Sequence, residues 1–222
     1  LLSEVFATPV AASRYADVLG AAPVPVRLAD DDALGSLSET VTPQGVVAVC
    51  RRLTVPLADG LGSMPRLVAV LVDARDPGNA GTLIRCADAA GADAVILAGE
   101  SVDPLGGKCV RATAGSLFHL PIVVDVDVSE VIAALRHRGV SIMAADGAAQ
   151  TDLDEAAEAG LLAAPTAWLF GNEARGLSEA VVQSADRAIR VPIRGRAESL
   201  NIAAAAAICL YASATAHHRR LS

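Results

Sequence analysis

The feature that most constrains this chain is an apolar run without alternation, RLVAVLVD, at Arg66 to Asp73. A strand with one wet face alternates in polarity. An unbroken run is expected where a parallel strand is covered on both faces by helices. Further strands are expected in DAVILAG (Asp93 to Gly99), LPIVVDV (Leu120 to Val126), GVSIMAAD (Gly139 to Asp146), TAWLFG (Thr166 to Gly171) and AIRVPI (Ala188 to Ile193). Helical patterns fill the gaps. One helix is expected from about Asn79 to Ala90, with Leu83, Ile84, Ala87 and Ala90 on one face and Gly91 ending it. A helix or turn lies between Gly106 and Thr113, and Val128 to His137 reads as a helix with Ser129 as candidate N-cap. A short helix follows Ser178, and a last one runs from near Ser199 to about His217. This alternation predicts an α/β domain with a mostly parallel sheet.

Residues 1–55 hold shorter α/β elements, including a strand in GVVAVCRRL (Gly45 to Leu53) that leaves a TPQG turn. Residues 56–65, broken by Pro56, Gly60, Gly62 and Pro65, read as a linker, so 66–222 is the second domain. The chain starts LLSEVFATPVAAS, without Met or a basic segment; we expect an interior start with upstream residues missing, and no signal peptide. No apolar run reaches the roughly 18 residues of a membrane span, and Ile202 to Ala212 is the longest candidate. Cys50, Cys86, Cys109 and Cys209 form no C-x-x-C pair or metal spacing, so free thiols in a reducing cytoplasm and no metal are expected. His217 and His218, in a terminal HHRR, read as a solvated helix end.

The net charge of −7 argues against a generic nucleic-acid coat. The basic residues are nonetheless unusual, because Lys108 is the only lysine and the others are arginine, which binds phosphate in a planar, two-pronged way. Arg75, Arg85, Arg111, Arg175, Arg194 and Arg196 lie beside glycine-rich turns or other polar groups.

In open α/β sheets ligands sit at the carboxyl ends of strands. Three such ends are polar here: DPGNAGTLIRCADAAG, LFGNEARGLS and VPIRGRAESLNIAAAA. None carries a phosphate-binding G-x-x-x-x-G-K-[ST], a G-x-G-x-x-G or a G-x-S-x-G elbow. Together they resemble the three motifs of the SpoU (TrmH-type) branch of the SPOUT RNA methyltransferases. Asn79, Gly81 and Arg85 match Asn-x-Gly-x-x-x-Arg; Gly171, Glu173 and Gly176 match Gly-x-Glu-x-x-Gly; Ser199, Leu200 and Asn201 match the Ser-Leu-Asn that follows a proline-containing strand. The similarity covers about residues 66 to 215. EVFATP and LSETVTPQGVVAV more weakly resemble the small substrate-binding domain of many relatives.

The resemblance implies a trefoil knot at the C-terminal end, a homodimer, and transfer of a methyl group from S-adenosylmethionine to an RNA ribose 2′-hydroxyl. The implied substrate is 23S rRNA, with tRNA, or a non-catalytic RNA-binding dimer, as alternatives. By carry-over the cofactor contacts are Gly171, Val191, Ile193 and Leu200, with Leu169 and Phe170 nearby. Arg85 is the expected catalytic centre, holding a phosphate and favouring a developing alkoxide; a surface ion pair with Asp88 is the competing reading. Asn79 either caps its helix or orients Arg85 or the ribose. Glu173 positions a hydroxyl or holds Arg85 or Arg175. Ser199 and Asn201 open the last helix, Ser199 as a candidate cap and Asn201 beyond the place a cap is needed. Arg111, Arg194 and Arg196 are expected to track RNA phosphates. The last helix, apolar on nearly every side, is expected to be buried in the core or in a dimer interface.

Overall fold

The computed structural model describes residues 1–37 and 43–219, in two compact units, Leu1–Leu53 and Thr54–Ser222. Ser38 to Thr42 of the second small-domain stretch, with the first residue of the TPQG turn, lie outside the described residues, as does Arg220.

In the first unit β1 (Leu2–Ala7) leads through α1 (Pro9–Arg14) and α2 (Ala16–Gly20) to β2 (Val26–Leu28), α3 (Asp31–Ser36) and β3 (Val46–Cys50). β1 is central, parallel to β2 and antiparallel to β3. Val5, Ala7, Ala11 and Leu34 form its buried interior.

The second unit opens with α4 (Leu57–Leu61), so the stretch read as a linker is part of the folded unit. Leu61 is buried against the sheet and Val55 donates its N–H to Ile122 at 2.9 Å. The proline and glycine content hid a short helix whose apolar residues have a core to join. β4 (Leu67–Val72), α5 (Pro77–Ala89), β5 (Ala94–Ala98), α6 (Gly107–Thr113), a 3-10 turn at Ser116–Phe118 and β6 (Ile122–Val126) follow. Then come α7 (Val128–His137), β7 (Ser141–Ala145), β8 (Thr151–Asp152), α8 (Leu153–Glu158), β9 (Thr166–Phe170), α9 (Glu179–Ser184), β10 (Arg187–Arg190) and α10 (Ile202–Arg219).

The strand order is β6-β5-β4-β9-β7-β10-β8, and every pairing is parallel. The chain lays down β4, β5 and β6 in one direction and crosses to β7 and β8. It then returns twice, placing β9 between β4 and β7 and β10 between β7 and β8. β4, β5 and β9 are buried on both sides, as their unbroken apolar runs require. Val68, Val70 and Val72 of β4 face α4 and α7, with Ala167 and Leu169 of β9 beside them. On the other face Trp168 donates its Nε1–H to Ser213 of α10 at 2.9 Å.

Several local readings are corrected. β10 ends at Arg190, and Val191 to Ile193 are neither strand nor helix; Pro192 has no N–H to continue a ladder. Asp127, not Ser129, stands at the N-cap of α7. His217 is buried and its Nε2 lies 2.9 Å from the Ala164 carbonyl, so it is a docked side chain rather than a solvated end. α10 is buried along Ala203, Ala206, Cys209, Leu210, Ser213 and His217. Its opposite stripe, Ala204, Ile208, Tyr211 and Thr215, is exposed. Alanine made the helix apolar in every direction, yet one stripe suffices to dock it. Cys109 and Cys209 are buried, and Cys50 and Cys86 partly so; burial pushes the Cys109 and Cys209 thiols up to about 11 and about 12.

Candidate active site

The strand order reverses beside β4, where β9 lies next to it, and the loops that follow both strands meet at the carboxyl edge of the sheet. Asp76 begins α5. Its Oδ1 accepts the Asn79 N–H at 2.7 Å, Pro77 occupies the first helical turn, and Lys108 Nζ stands 3.1 Å from Oδ2. The Asn79 N–H, then the Lys108 ammonium, holds the Asp76 carboxyl below its usual range. Asn79 is therefore not the cap, which corrects that reading and frees its side chain. Asp directly before Pro was the available signal.

The loop after β9 is tied down at its neck. Asn172 N–H donates to Gly176 O at 3.0 Å, and Gly176 N–H returns to Asn172 O at 2.8 Å. A Cβ on Gly171 would lie 2.2 Å from Gly176 C and from Leu177 N, so glycine is demanded by the loop's own backbone. Glu173 reaches neither Arg85 nor Arg175. Its carboxylate accepts the N–H of Arg75 at 3.2 Å and of Asp76 at 3.1 Å. Gly81 has a packing reason too, since a Cβ there would meet Cys109 O of α6 at 2.5 Å.

α10 starts at Ile202, later than expected, and Asn201 is in the cap position: its Oδ1 accepts the N–H of Ala203 at 2.9 Å. Ser199 lies before the helix and is exposed. Asn201 also donates from Nδ2 to Asn79 Oδ1 at 2.9 Å, joining residues 122 apart in sequence. One amide thus caps α10 and holds α5.

Arg85 lies less than two turns after Asn79, about 9 Å along α5. It is exposed and has no ion pair among the described residues; Asp88, its expected competitor, is engaged by Ser116 and His119, which lower its pKa. Arg194 pairs with Asp154, and Arg111 and Arg196 are exposed. Leu169 and Phe170 are buried in the core, Phe170 beside Trp168 with ring centroids 6.3 Å apart, which leaves only backbone at their strand end for a ligand. Val191 is half-buried, whereas Ile193 and Leu200 are 39% and 38% exposed. An irregular backbone at 191–200 flanked by exposed apolar side chains suits an adenine-bearing cofactor, offering N–H and C=O groups beside apolar surface. A groove of about 660 Å³ between α8 and α10 lies along the helices and includes none of these motif residues. Among the described residues, no three His, Cys, Asp or Glu converge on a common point suited to a metal.

Sequence reasoning missed Asp76 and Asn172. The latter's Oδ1 accepts the N–H groups of Ala174 at 3.0 Å and Arg175 at 3.2 Å, an Asx turn that Asn ahead of E-A-R-G could have suggested.

A wholly parallel sheet with polar loops gathered at its switch point defines an α/β protein that takes its ligand at the carboxyl edge. The SpoU rRNA Methylase family matches residues 66–211, and the RNA 2′-O ribose methyltransferase substrate binding family matches residues 2–56. The 23S rRNA (guanosine(2553)-2′-O)-methyltransferase RlmP of Bacillus subtilis (strain 168) is 37% identical over 184 residues, covering 82% of this chain and 69% of the relative. The crystal structure of the SpoU methyltransferase AviRb from Streptomyces viridochromogenes with AdoMet superposes with a TM-score of 0.85 at 28% identity. That match covers 100% of this chain and 85% of the other. An AdoMet-bound rRNA methyltransferase from Sinorhizobium meliloti gives 0.80 at 31% identity, covering 100% and 81%. The chain belongs to the SpoU rRNA methylase family.

Proposed function

We propose that this chain transfers a methyl group from S-adenosylmethionine to a ribose 2′-hydroxyl of 23S rRNA, in the cytoplasm and as a homodimer. The observation that carries the reading is the Asn201–Asn79 hydrogen bond, which with the Glu173 contacts gathers three distant motifs at one carboxyl edge. The chemistry named for the relative RlmP supports the ribose and the 23S rRNA.

S-adenosylmethionine supplies a methyl carbon on a positively charged sulfur; the ribose oxygen takes that carbon as the carbon–sulfur bond breaks and the 2′-hydroxyl proton leaves. The chain's part is to hold and orient. Backbone at Gly171 and 191–200, with Val191, Ile193 and Leu200, forms the cofactor wall. Arg85 binds the phosphate beside the target ribose and stabilises charge building on the oxygen. With a reference pKa above about 12 it is a poor base, so the proton passes to phosphate or water. Asn79, Glu173, Ser199 and Asn201 form the frame around it, and Arg111, Arg194 and Arg196 supply further phosphate contacts. Residues 1–55 bind RNA.

The exposed stripe Ala204, Ile208, Tyr211 and Thr215 on α10 supports the dimer, because Tyr211 also reaches the end of α5, donating to Ala89 O at 3.2 Å. In this reading α5 and α10 pack on a second copy, which completes the site near Arg85. The path of 191–201 from β10 across the carboxyl edge to the start of α10 against α5 supports the knot. Mapping ribose methylation across total RNA with and without the gene tests the reading. A 23S site lost with the gene is expected; a lost tRNA site, or no change, contradicts it.

A further inference from the structure

We infer that Asn172 is a positioning residue for methyl transfer, linking the loop after β9 to the loop after β4 and so fixing α5 against the cofactor wall. The inference rests on the methyl-transfer reading above.

Asn172 uses both ends of its amide on different loops. Nδ2 donates to the Asp73 carbonyl at 2.9 Å, 99 residues away in sequence, while Oδ1 organises its own loop through Ala174 and Arg175. Asp73 is an anchored partner. It holds a left-handed φ of 54°, and its Oδ1 accepts the Glu100 N–H at 2.8 Å. Glu173 adds its two contacts at Arg75 and Asp76. The four residues from Asp73 to Asp76 are thereby held at both ends, and Asp76 is the cap of α5. What α5 carries, Asn79 and Arg85, takes its placement from this strap.

The two residues differ in kind. Glu173 is exposed, so water can replace part of its role, whereas Asn172 is half-buried. Its loss leaves the Asp73 carbonyl without that donor. An error of about 1 Å in the approach of reacting groups costs about a hundredfold in rate.

Asn172→Asp isolates the link. The introduced carboxyl keeps an acceptor for Ala174 and Arg175 but turns an oxygen toward the Asp73 carbonyl. Acid returns a proton, and with it the donor. Asn172→Ser has no donor long enough to reach Asp73 at any pH.

The test measures single-turnover methylation of unmodified 23S rRNA transcript at saturating S-adenosylmethionine, with cofactor Kd by calorimetry. For Asn172→Asp at about pH 8 we expect a rate at least about tenfold below wild type, with Kd within about threefold. The ratio to wild type should rise as the pH falls through the range in which the introduced carboxyl takes its proton. Asn172→Ser should lose rate similarly without acid recovery, and it carries the rate-against-Kd split if Asn172→Asp does not fold. Folded variants with wild-type rates overturn the inference. So does a defect confined to Kd that saturating cofactor abolishes. An inactive wild type sinks the methyl-transfer reading instead.

Discussion

At the start of α5 the Asp76 carboxyl accepts the Asn79 N–H with one oxygen and faces the Lys108 ammonium with the other. Both contacts favour the ionised form, so its pKa lies below the ordinary 3.8. The stabilisation is therefore complete above that value and is lost as the pH falls through the lowered one. Asp76→Asn keeps an acceptor and removes the charge. Because the pair is exposed, the expected cost near neutral pH is only about 0.5 kcal/mol. Denaturant unfolding should show wild type and variant converging below about pH 4. A gap that does not narrow as the pH falls below 3.8 would contradict the assignment. Arg85, exposed and outside any ion pair among the described residues, predicts the opposite profile: Arg85→Lys should leave stability within about 0.5 kcal/mol while methyl transfer falls by tenfold or more. Equal rates would remove it from catalysis.

At the scale of elements, Asn201 couples two helices. Asn201→Asp preserves the cap of α10 and removes the donor to Asn79, whereas Asn201→Ala removes both. Unfolding free energies should fall by about 1 kcal/mol for the cap, and a double-mutant cycle with Asn79→Ala should give a coupling of similar size. Zero coupling would mean the two amides do not meet in solution. These elements also mark what the chain reveals before folding. Unbroken runs such as Leu67–Val72 and Ala94–Ala98 announce parallel strands because both faces must be apolar. β8 escaped because it is two polar residues, Thr151 and Asp152, paired among the described residues with β10 alone. The Asp152–Glu155 capping box that follows was a legible helix start. Ser199 and Asn201 are both good caps, and only the docking of α10 on α5 selects Asn201. The motif positions were readable as a set, yet the work of Glu173 was not. Its partners are backbone groups 97 and 98 residues away, which no local pattern encodes.

At the scale of the whole molecule, two late strands enter gaps left by earlier ones, and this brings the loop after β9 to the loop after β4. No local pattern forces that order, since each apolar run would fit any inner position. The exposed stripe of α10, with Ile208 42% and Tyr211 50% exposed, predicts self-association. Sedimentation should find dimers, and Ile208→Glu with Tyr211→Glu should shift them to monomers and abolish methyl transfer. A monomeric wild type with full activity would refute a shared site. The most direct test of the central claim is to incubate the purified protein with methyl-labelled S-adenosylmethionine and unmodified 23S rRNA, then digest the RNA to nucleosides. One labelled 2′-O-methyl nucleoside is expected, absent with Arg85→Ala. Label on a base, or none on the RNA, would contradict it.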